Sequence, residues 1–335
     1  MNKFLFICKE RKTSYGISFG LFNSARFVSE SIKEMSDFES KVIFVKDMNE
    51  IDKFVTEYNP THVFIEALWV TKEKFLQLFK YKRHIERKWI IRIHSKGPFL
   101  ANEGNAFGWM NDYIELGKEY PLYISVNNLE FSIDLNKIDY KNIYLPNIYF
   151  PKFDNFCKIK DKEHFDIGCF GAIRPMKNHL QQAIAAIRFA NDKKLNLRFH
   201  INGNRLEQNG DKVLSNLRSL FNNSKYELVE HDWMNHEKFI NVIRQMDMGL
   251  QISFSESFNI VTADFVANNI PIVVSKDFNW LPFWIKSSCT DTDEILNKMN
   301  LIYHLPIVNI LNKTYLKGYN IRANCIWNNY IHGKL

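Results

Sequence analysis

Two basic side chains stand where a buried strand gives way to a helix. The apolar run Ile167–Phe170 leads into Gly171, whose lack of a side chain permits a tight turn. Arg174 and Lys177 follow three residues apart, and Asn178 stands beside them where helical spacing begins. Fixed cations beside a helix N-terminus suit a diphosphate. The simpler alternative is a solvated loop whose basic residues are incidental.

Two acidic side chains follow another strand, Gly249–Ser253. Glu256 precedes a helix start, and Asp264 lies eight residues later, about two helical turns along. Backbone N–H groups at a helix start can bind hydroxyl or phosphate oxygens. The residues that would supply them are Ser257, Phe258, Asn259 and Ile260. One acid could hold sugar hydroxyls and the other a ribose; the alternative is a capped helix with Asp264 on an exposed face.

Short β-branched or aromatic runs alternate with stretches of helical spacing along the chain. In the first half the predicted strands are Phe4–Cys8, Lys41–Val45, His62–Glu66, Trp89–His94, Leu122–Val126 and Asn142–Leu145, with helices at Leu21–Met35 and Glu73–Phe79. In the second half the strands after Ile167–Phe170 are Leu197–Asn202, Glu227–Glu230, Gly249–Ser253 and Pro271–Val274, with helices at His179–Asn191, Lys212–Phe221, Glu237–Met246 and Asn259–Asn268. This alternation predicts parallel sheets that bind ligands beyond the carboxyl ends of their strands.

The proline-bracketed segment Pro146–Lys152 predicts a linker between two domains. We expect the first domain to cover residues 1–148 and the second residues 149–315. The final helical stretch, Thr314–His332, predicts a helix that returns to the first domain and adds residues 316–335 to it. The predicted fold class is α/β, with two doubly wound, Rossmann-like domains facing across a cleft.

The composition is that of a soluble globular protein with a mild basic excess. Hydrophobic residues make up 46% and charged residues 24% of the 335, and no apolar run reaches the roughly 18 residues of a membrane-spanning helix. The net charge of +7 favours an anionic partner, with a nucleotide, DNA and an anionic membrane surface all open. Five scattered cysteines without CxxC spacing predict reduced cytoplasmic thiols. Asp291-Thr292-Asp293 has the form of a metal-binding DxD, but helix capping explains it more simply, so no metal is expected.

Together these segments resemble the retaining glycosyltransferases of family 4. That family carries a Gly-Arg-…-Lys segment after the first strand of its second domain and a Glu-x7-Glu segment later. Gly171, Arg174 and Lys177 match the first segment, whereas Glu256 and Asp264 match the second. The likeness extends to Pro146-Asn147, to Ile201-Asn202-Gly203 and to Asn269–Val274.

The resemblance implies the GT-B fold and transfer of a hexose or pentose, with retention, from a nucleotide sugar. The donor would most simply be a UDP-sugar, with no obligatory metal. By analogy, the two cations neutralise the diphosphate, Glu256 holds the donor sugar, Asp264 holds the ribose, and Gly203 belongs to the donor site. Two departures are the shorter acid at Asp264 and the run Ser257–Asn259 in place of Gly-Phe-Gly.

The first half holds the candidates for the acceptor side. His94 ends a predicted strand, and the resemblance implies that a histidine at this point contacts the transferred sugar; a structural histidine is the alternative. Gly16 and Gly20 loosely resemble the family's glycine-rich acceptor loop, and they do not form a dinucleotide-binding GxGxxG. The further acceptor candidates are Glu66, Trp69, Lys82, Arg83, Asn102 and Glu103.

Two segments could contact an acceptor. Lys72–Lys88 holds seven Lys or Arg against two acids, which suits a phosphate backbone or anionic lipid, although a solvated helix face would look the same. Gly97–Trp109 is rich in glycine and aromatics and could stack on a base, with loop packing as the alternative.

The chain as a whole is similar to small glycosyltransferases encoded by tailed bacteriophages. Some enzymes of this kind glycosylate hydroxymethylated pyrimidines in DNA. The leading expectation is therefore transfer to hydroxymethylated double-stranded DNA in the host cytoplasm. The alternatives are a cell-surface glycan or lipid, reached by peripheral membrane contact, and a catalytically silent module that binds nucleic acid.

Overall fold

The computed structural model describes residues 2–10, 19–151, 163–305 and 307–334. The chain divides into two compact units. The first comprises Met1–Pro151 with Asn320–Leu335, and the second Lys152–Tyr319. Each unit has its own parallel sheet with helices around it, as the alternation of strands and helices predicts.

The first unit is built on a sheet whose strands are buried along most of their length. Its strands are β1 (Lys3–Lys9), β2 (Glu39–Val45), β3 (His62–Glu66), β4 (Lys88–Ile93), β5 (Leu122–Val126) and β6 (Ile143–Tyr144). Its helices are α1 (Phe19–Met35), α2 (Ile51–Tyr58), α3 (Lys72–Phe79), α4 (Lys82–Ile85), α5 (Gly97–Leu100), α6 (Ala106–Leu116) and α7 (Leu129–Lys137). Over the described residues the sheet has the order β2-β1-β3-β4-β5-β6, with every pair parallel. All five residues of β3 are buried, as expected of a strand covered on both faces.

The second unit repeats this plan with a different strand order. Its strands are β7 (Phe165–Gly168), β8 (Leu197–Ile201), β9 (Glu227–Glu230), β10 (Met248–Gln251), β11 (Ile272–Ser275) and β12 (Lys286–Ser287). Its helices are α8 (His179–Lys193), α9 (Gly210–Asn222), α10 (His236–Ile243), α11 (Ile260–Ala267), α12 (Thr292–His304) and the first part of α13 (Ile307–Ile331). The described strands run in the order β12-β11-β10-β7-β8-β9, so the direction of the winding reverses between β7 and β10.

The predicted strands agree with the observed ones to within a few residues, and the main differences concern helices. The final helix begins at Ile307, earlier than the predicted Thr314. The predicted strand Asn142–Leu145 shrinks to the two residues of β6. None of the helices in the described part of the chain is both long enough and apolar enough to cross a membrane.

The last part of α13 packs on the first unit through a buried tryptophan. Trp327 is 0% exposed, and its indole N–H donates to the carbonyl oxygen of Pro146 at 2.7 Å. Its ring centroid lies 5.7 Å from that of Phe64 on β3 and 6.3 Å from that of Phe6 on β1. This helix therefore covers one face of the first sheet with a large apolar side chain.

Replacement of Trp327 by alanine should destabilise the first unit by about 3–5 kcal/mol, because it opens a cavity and leaves the Pro146 carbonyl without its donor. The midpoint and slope of urea-induced unfolding measure the loss. Ile321→Ala is the matched control, since Ile321 lies on the same helix and is 66% exposed. Equal stability of the two variants would contradict this account of the helix.

Candidate functional site

The reversal of strand order in the second unit places two loops side by side. β7 and β10 are neighbours in the sheet, and each runs into one of the loops singled out from the sequence. The loop after β7 carries Arg174 and Lys177, and the loop after β10 carries Glu256. Open α/β sheets bind ligands beyond the carboxyl ends of their strands at such a reversal.

Lys177 and Glu256 join these two loops. The ammonium of Lys177 donates to Oε1 of Glu256, and the two side chains are 11% and 9% exposed. Burial alone would raise the pKa of the Glu256 carboxyl, but the charge and hydrogen bond of Lys177, with the charge of Arg174, hold that pKa below its usual value. Glu256 is therefore an anion at neutral pH and can accept hydrogen bonds from hydroxyl groups.

Backbone hydrogen bonds reinforce this junction. The N–H of Glu256 donates to Oδ2 of Asp277, from the loop after β11, at 2.5 Å. The N–H of Phe254 donates to the carbonyl oxygen of Met176 at 2.9 Å. The carboxylate of Glu256 is thus positioned by three neighbouring loops of one sheet edge.

Arg174 also has an acidic partner in the same unit. Its Nη1 donates to Oε2 of Glu207, in the loop after β8, at 2.9 Å. The other oxygen of Glu207 accepts from Nε and Nη2 of Arg205 at 2.9 and 2.7 Å. The guanidinium of Arg205 lies 4.3 Å from the ring centroid of Trp233. Both predicted diphosphate-binding cations are therefore held by carboxylates.

Three of the predicted donor-site residues shape the backbone. Gly171 has a φ of 121°, in the region that favours glycine. Asn178 has a φ of 57°, and its side-chain amide donates to two backbone carbonyl oxygens at 3.2 and 2.8 Å. A Cβ at Gly203 would lie 2.2 Å from Oε2 of Glu230, so a larger residue would displace that side chain.

The segment of residues 257–260 leads into α11 through an asparagine cap. Asn259 has a φ of 60°, and its Oδ1 accepts from the N–H of Thr262 at 3.0 Å. Asparagine tolerates this backbone better than most other side chains do, and its side chain caps the helix. Phe258 is 1% exposed and stacks on Trp280 in the interior of the unit, whereas Ser257 and Ile260 are partly exposed.

Asp264 is buried. Its side chain is 1% exposed, and Oδ1 accepts from Nε2 of His236 at 2.8 Å. Its neighbours Ala263 and Phe265 are 0% exposed. The alternative that placed Asp264 on an exposed helix face is therefore wrong.

In the first unit, the carboxyl ends of β3 and β4 bring Glu66 and His94 together. Oε1 of Glu66 accepts from Nη1 of Arg92 at 2.8 Å, and Oε2 lies 2.5 Å from Nε2 of His94. Burial alone would raise the pKa of Glu66, but Arg92 and His94 hold it below its usual value. Burial lowers the pKa of His94, so the neutral ring must donate its Nε2–H to the carboxylate. This hydrogen bond sets the tautomer and orientation of the imidazole.

Trp69 lies beside this cluster. Its indole N–H donates to the carbonyl oxygen of Glu66 at 2.9 Å, and it lines a pocket of about 70 Å³ together with Lys9. Gly20 belongs to the first turn of α1. Gly16 lies outside the described residues.

The remaining acceptor candidates fall at opposite edges of the first sheet. Asn102 and Glu103 are exposed and follow β4, at the edge that holds His94. Lys82 and Arg83 lie in α4, which leads into the start of β4 and so belongs to the amino-end edge. Lys82 and Arg83 therefore lie at the opposite end of β4 from His94, and the structure does not bring them together.

The basic segment Lys72–Lys88 is partly neutralised inside the first unit. Lys72 and Arg83 form ion pairs with acidic side chains of that unit, and Arg87 is 7% exposed. The segment Gly97–Trp109 folds into α5 and the start of α6. Ion pairing, burial and helix formation thus explain much of the composition of both segments.

The DxD run caps a helix. Oδ1 of Asp291 accepts from the N–H groups of Asp293 and Glu294 at 2.9 and 3.0 Å, at the start of α12. Among the described residues, no three His, Cys, Asp or Glu side chains are grouped so as to hold a metal ion.

The architecture of both units can be compared with that of known proteins. No protein-family model and no curated protein sequence matches the chain. Sucrose-phosphate synthase from Thermosynechococcus elongatus is similar in structure, with a TM-score of 0.69 and 11% identity over 99% of this chain and 96% of that chain. Anabaena HepE, solved with UDP-glucose, has a TM-score of 0.63 and 12% identity over 99% and 98% of the two chains. The fold is GT-B.

A third GT-B structure contains nucleic acid. It is an alpha-glucosyltransferase solved with UDP and a 13-mer DNA that has a central A:G mismatch, with a TM-score of 0.61 and 9% identity over 97% of this chain and 94% of that chain. The predicted fold class is thus confirmed.

Four charged or titratable side chains contact the predicted site residues but were not predicted from the sequence. They are Glu207, Asp277, His236 and Arg92. Glu207 and Asp277 follow β8 and β11, the strands that flank β7 and β10 in the sheet. A search for charged residues after every strand of the second half would have found both. His236 and Arg92 lie within elements, where no such positional signal exists.

His179, the first residue of α8, is a buried titratable group beside Arg174 and Lys177. It is 1% exposed, and neither ring nitrogen has a hydrogen-bond partner within the described parts of the chain. Burial, together with the charges of Lys177 and Arg174, lowers its pKa from 6.5 to about 3. The folded protein therefore holds a neutral ring that the unfolded chain would protonate in mild acid.

Because the unfolded state binds this proton first, stability should fall as the pH drops from about 6.5 towards 3. His179→Met removes one such group and should make that part of the curve less steep while leaving stability at pH 8 nearly unchanged. The free energy of urea unfolding, measured at several pH values, reports the slope. The exposed His332 gives the control variant His332→Met, which should keep the wild-type slope. Identical slopes for His179→Met and wild type would refute the assignment.

Proposed function

We propose that the chain is a glycosyltransferase that moves a sugar from a nucleotide sugar, most simply a UDP-sugar, to an acceptor hydroxyl. The observation that carries the proposal is the convergence of two cations and an anion at the strand-order reversal of the second unit. Arg174 and Lys177 supply fixed charge for a diphosphate, and Glu256 accepts hydrogen bonds from sugar hydroxyls. The GT-B neighbours solved with UDP or UDP-glucose support this choice of donor.

The proposal also assigns roles in donor binding and on the acceptor side to the other candidate residues. Asp264, oriented by His236, binds the ribose, and the segment 257–260 contributes backbone N–H groups to the donor. His94, oriented by Glu66, is the candidate catalytic group of the first unit, which serves the acceptor side.

The reaction breaks the bond between the anomeric carbon and the diphosphate oxygen. A bond forms from that carbon to the acceptor oxygen, whose proton passes to the leaving phosphate. Retention, with attack on the face from which the diphosphate departs, follows the resemblance to family 4. Negative charge grows on the leaving group in the transition state, so Arg174 and Lys177 stabilise that state more than the bound donor.

Arg174→Ala and Lys177→Ala should each lower kcat about 100-fold while weakening donor affinity less than about tenfold. Steady-state kinetics with a UDP-sugar, combined with direct donor binding, separates the two effects. Arg188→Ala is the control, because Arg188 lies in the same unit and pairs with Asp293 at an exposed position. Equal losses in rate and affinity would argue against a transition-state role.

We propose hydroxymethylated double-stranded DNA as the acceptor. The net charge of +7 and the GT-B neighbour solved with DNA support it. The segment Lys72–Lys88 adds less support than its composition predicts, because some of its charges are already paired. A cell-surface glycan or a lipid is the alternative that the next experiment addresses.

Duplex DNA containing hydroxymethylcytosine, hydroxymethyluracil or neither base is incubated with the protein and a panel of sugar nucleotides, then digested and weighed by mass spectrometry. A hexose- or pentose-sized gain on a hydroxymethylated base alone is the expected result. Glu256→Gln, prepared in parallel, should give no gain and so excludes a contaminating enzyme. Release of nucleoside diphosphate without a gain would contradict the DNA acceptor, and no release would contradict the enzyme class.

A further inference from the structure

The loop after β8 is fastened to the loop that carries Arg174. The N–H of Ile173 donates to the carbonyl oxygen of Arg205 at 2.8 Å, and the N–H of Glu207 donates to the carbonyl oxygen of Ile173 at 3.0 Å. A Cβ at Gly210 would lie 2.0 Å from that same carbonyl oxygen, so the close approach requires glycine. The side chain of Glu207 is therefore presented from a fixed backbone.

The same loop contains unusual backbone conformations. Gln208 and Asn209 have φ angles of 49° and 67°, which are costly for residues with side chains. Such conformations persist only where the surrounding structure requires them. Here they turn the chain directly after Glu207 and let Gly210 reach the neighbouring loop.

Glu207 is shared between two guanidinium groups. One oxygen accepts from Arg174 and the other from Arg205, and the three side chains are 13–20% exposed. Arg205 is itself held against the ring of Trp233. Glu207 is thus anchored on one side by a stacked arginine and holds Arg174 on the other.

Arg174 contacts one carboxylate and belongs to a loop whose Lys177, three residues on, contacts a second one, Glu256. It is hydrogen-bonded to Glu207, and it lies close enough to Glu256 for its charge to stabilise that anion. Glu256 already receives the ammonium of Lys177. A guanidinium released from Glu207 would be drawn towards the Glu256 anion and would compete with sugar hydroxyls for its oxygens.

We propose that Glu207 is a positioning residue that keeps Arg174 away from Glu256, so that the guanidinium stays available to the donor diphosphate. This inference rests on the proposed function, because it assigns the donor phosphates to Arg174. Glu207 acts through Arg174 and does not itself touch the donor. If Glu207 only repelled the diphosphate, its loss would strengthen nucleotide binding. The proposed positioning role predicts the opposite, namely weaker binding.

The test is a double-mutant cycle on nucleotide binding, measured by isothermal titration calorimetry with UDP, GDP and ADP. Glu207→Gln should weaken the binding of the preferred nucleotide roughly three- to tenfold. In the Glu256→Gln background the same change should cause no loss, since Arg174 then has no competing carboxylate. Nucleotide binding by the double variant also shows that the loop folds without the Glu207 charge.

Asp293→Asn is the matched control, because it removes one carboxylate that pairs with an arginine elsewhere in the second unit, and it should leave affinity unchanged. Equal weakening in both backgrounds would mean a general structural role and would overturn the inference. Tighter binding by Glu207→Gln would also overturn it, since simple repulsion would then dominate. Failure of the wild-type protein to bind any of the three nucleotides would instead overturn the proposed function.

Discussion

Positive charge gathered at the half-buried end of a parallel sheet is stable only when anions stand beside it. Three cations of the second unit, Arg174, Lys177 and Arg205, share two carboxylates, Glu207 and Glu256, and these side chains are at most one-fifth exposed. Arg174 with Glu207 and Lys177 with Glu256 each join two different loops, so these ion pairs help to hold the loops together. The three cations exceed the two carboxylates by one positive charge, which suits an anion such as the diphosphate of the proposed donor. The same balance thus accounts for the folding of the loops and for the ligand that the site suits.

In the first unit, fewer side chains balance the buried charge at the end of the sheet. Glu66 is enclosed at the end of β3, and Arg92 from the next strand compensates its charge. The imidazole of His94 then receives a fixed orientation from a carboxylate that is already paired. A histidine oriented in this way can present its ring to a ligand without carrying a charge of its own. Both units therefore place a compensated acid at the carboxyl ends of their strands, although the side chains involved differ.

The strands and the spacing of Arg174, Lys177, Glu256 and Asp264 could be predicted because they depend on local patterns. The partners of these residues could not, because Glu207, Asp277 and His236 meet them only through strand order and loop contacts. The same limit applies to Lys82 and Arg83, whose charge is visible in the sequence but whose edge of the sheet depends on the direction of β4. Asn259 shows the reverse case, since it departs from the glycine of the motif that the sequence resembles, yet its φ of 60° lies in the left-handed region that favours glycine.

A crystal structure of the protein with UDP bound tests the central claim most directly, because it shows which side chains take the diphosphate. The account predicts phosphate oxygens within hydrogen-bonding distance of Arg174 and Lys177, with the β-phosphate directed towards Glu256. UDP bound elsewhere, or a diphosphate that leaves both cations on their carboxylates and contacts neither, would contradict it.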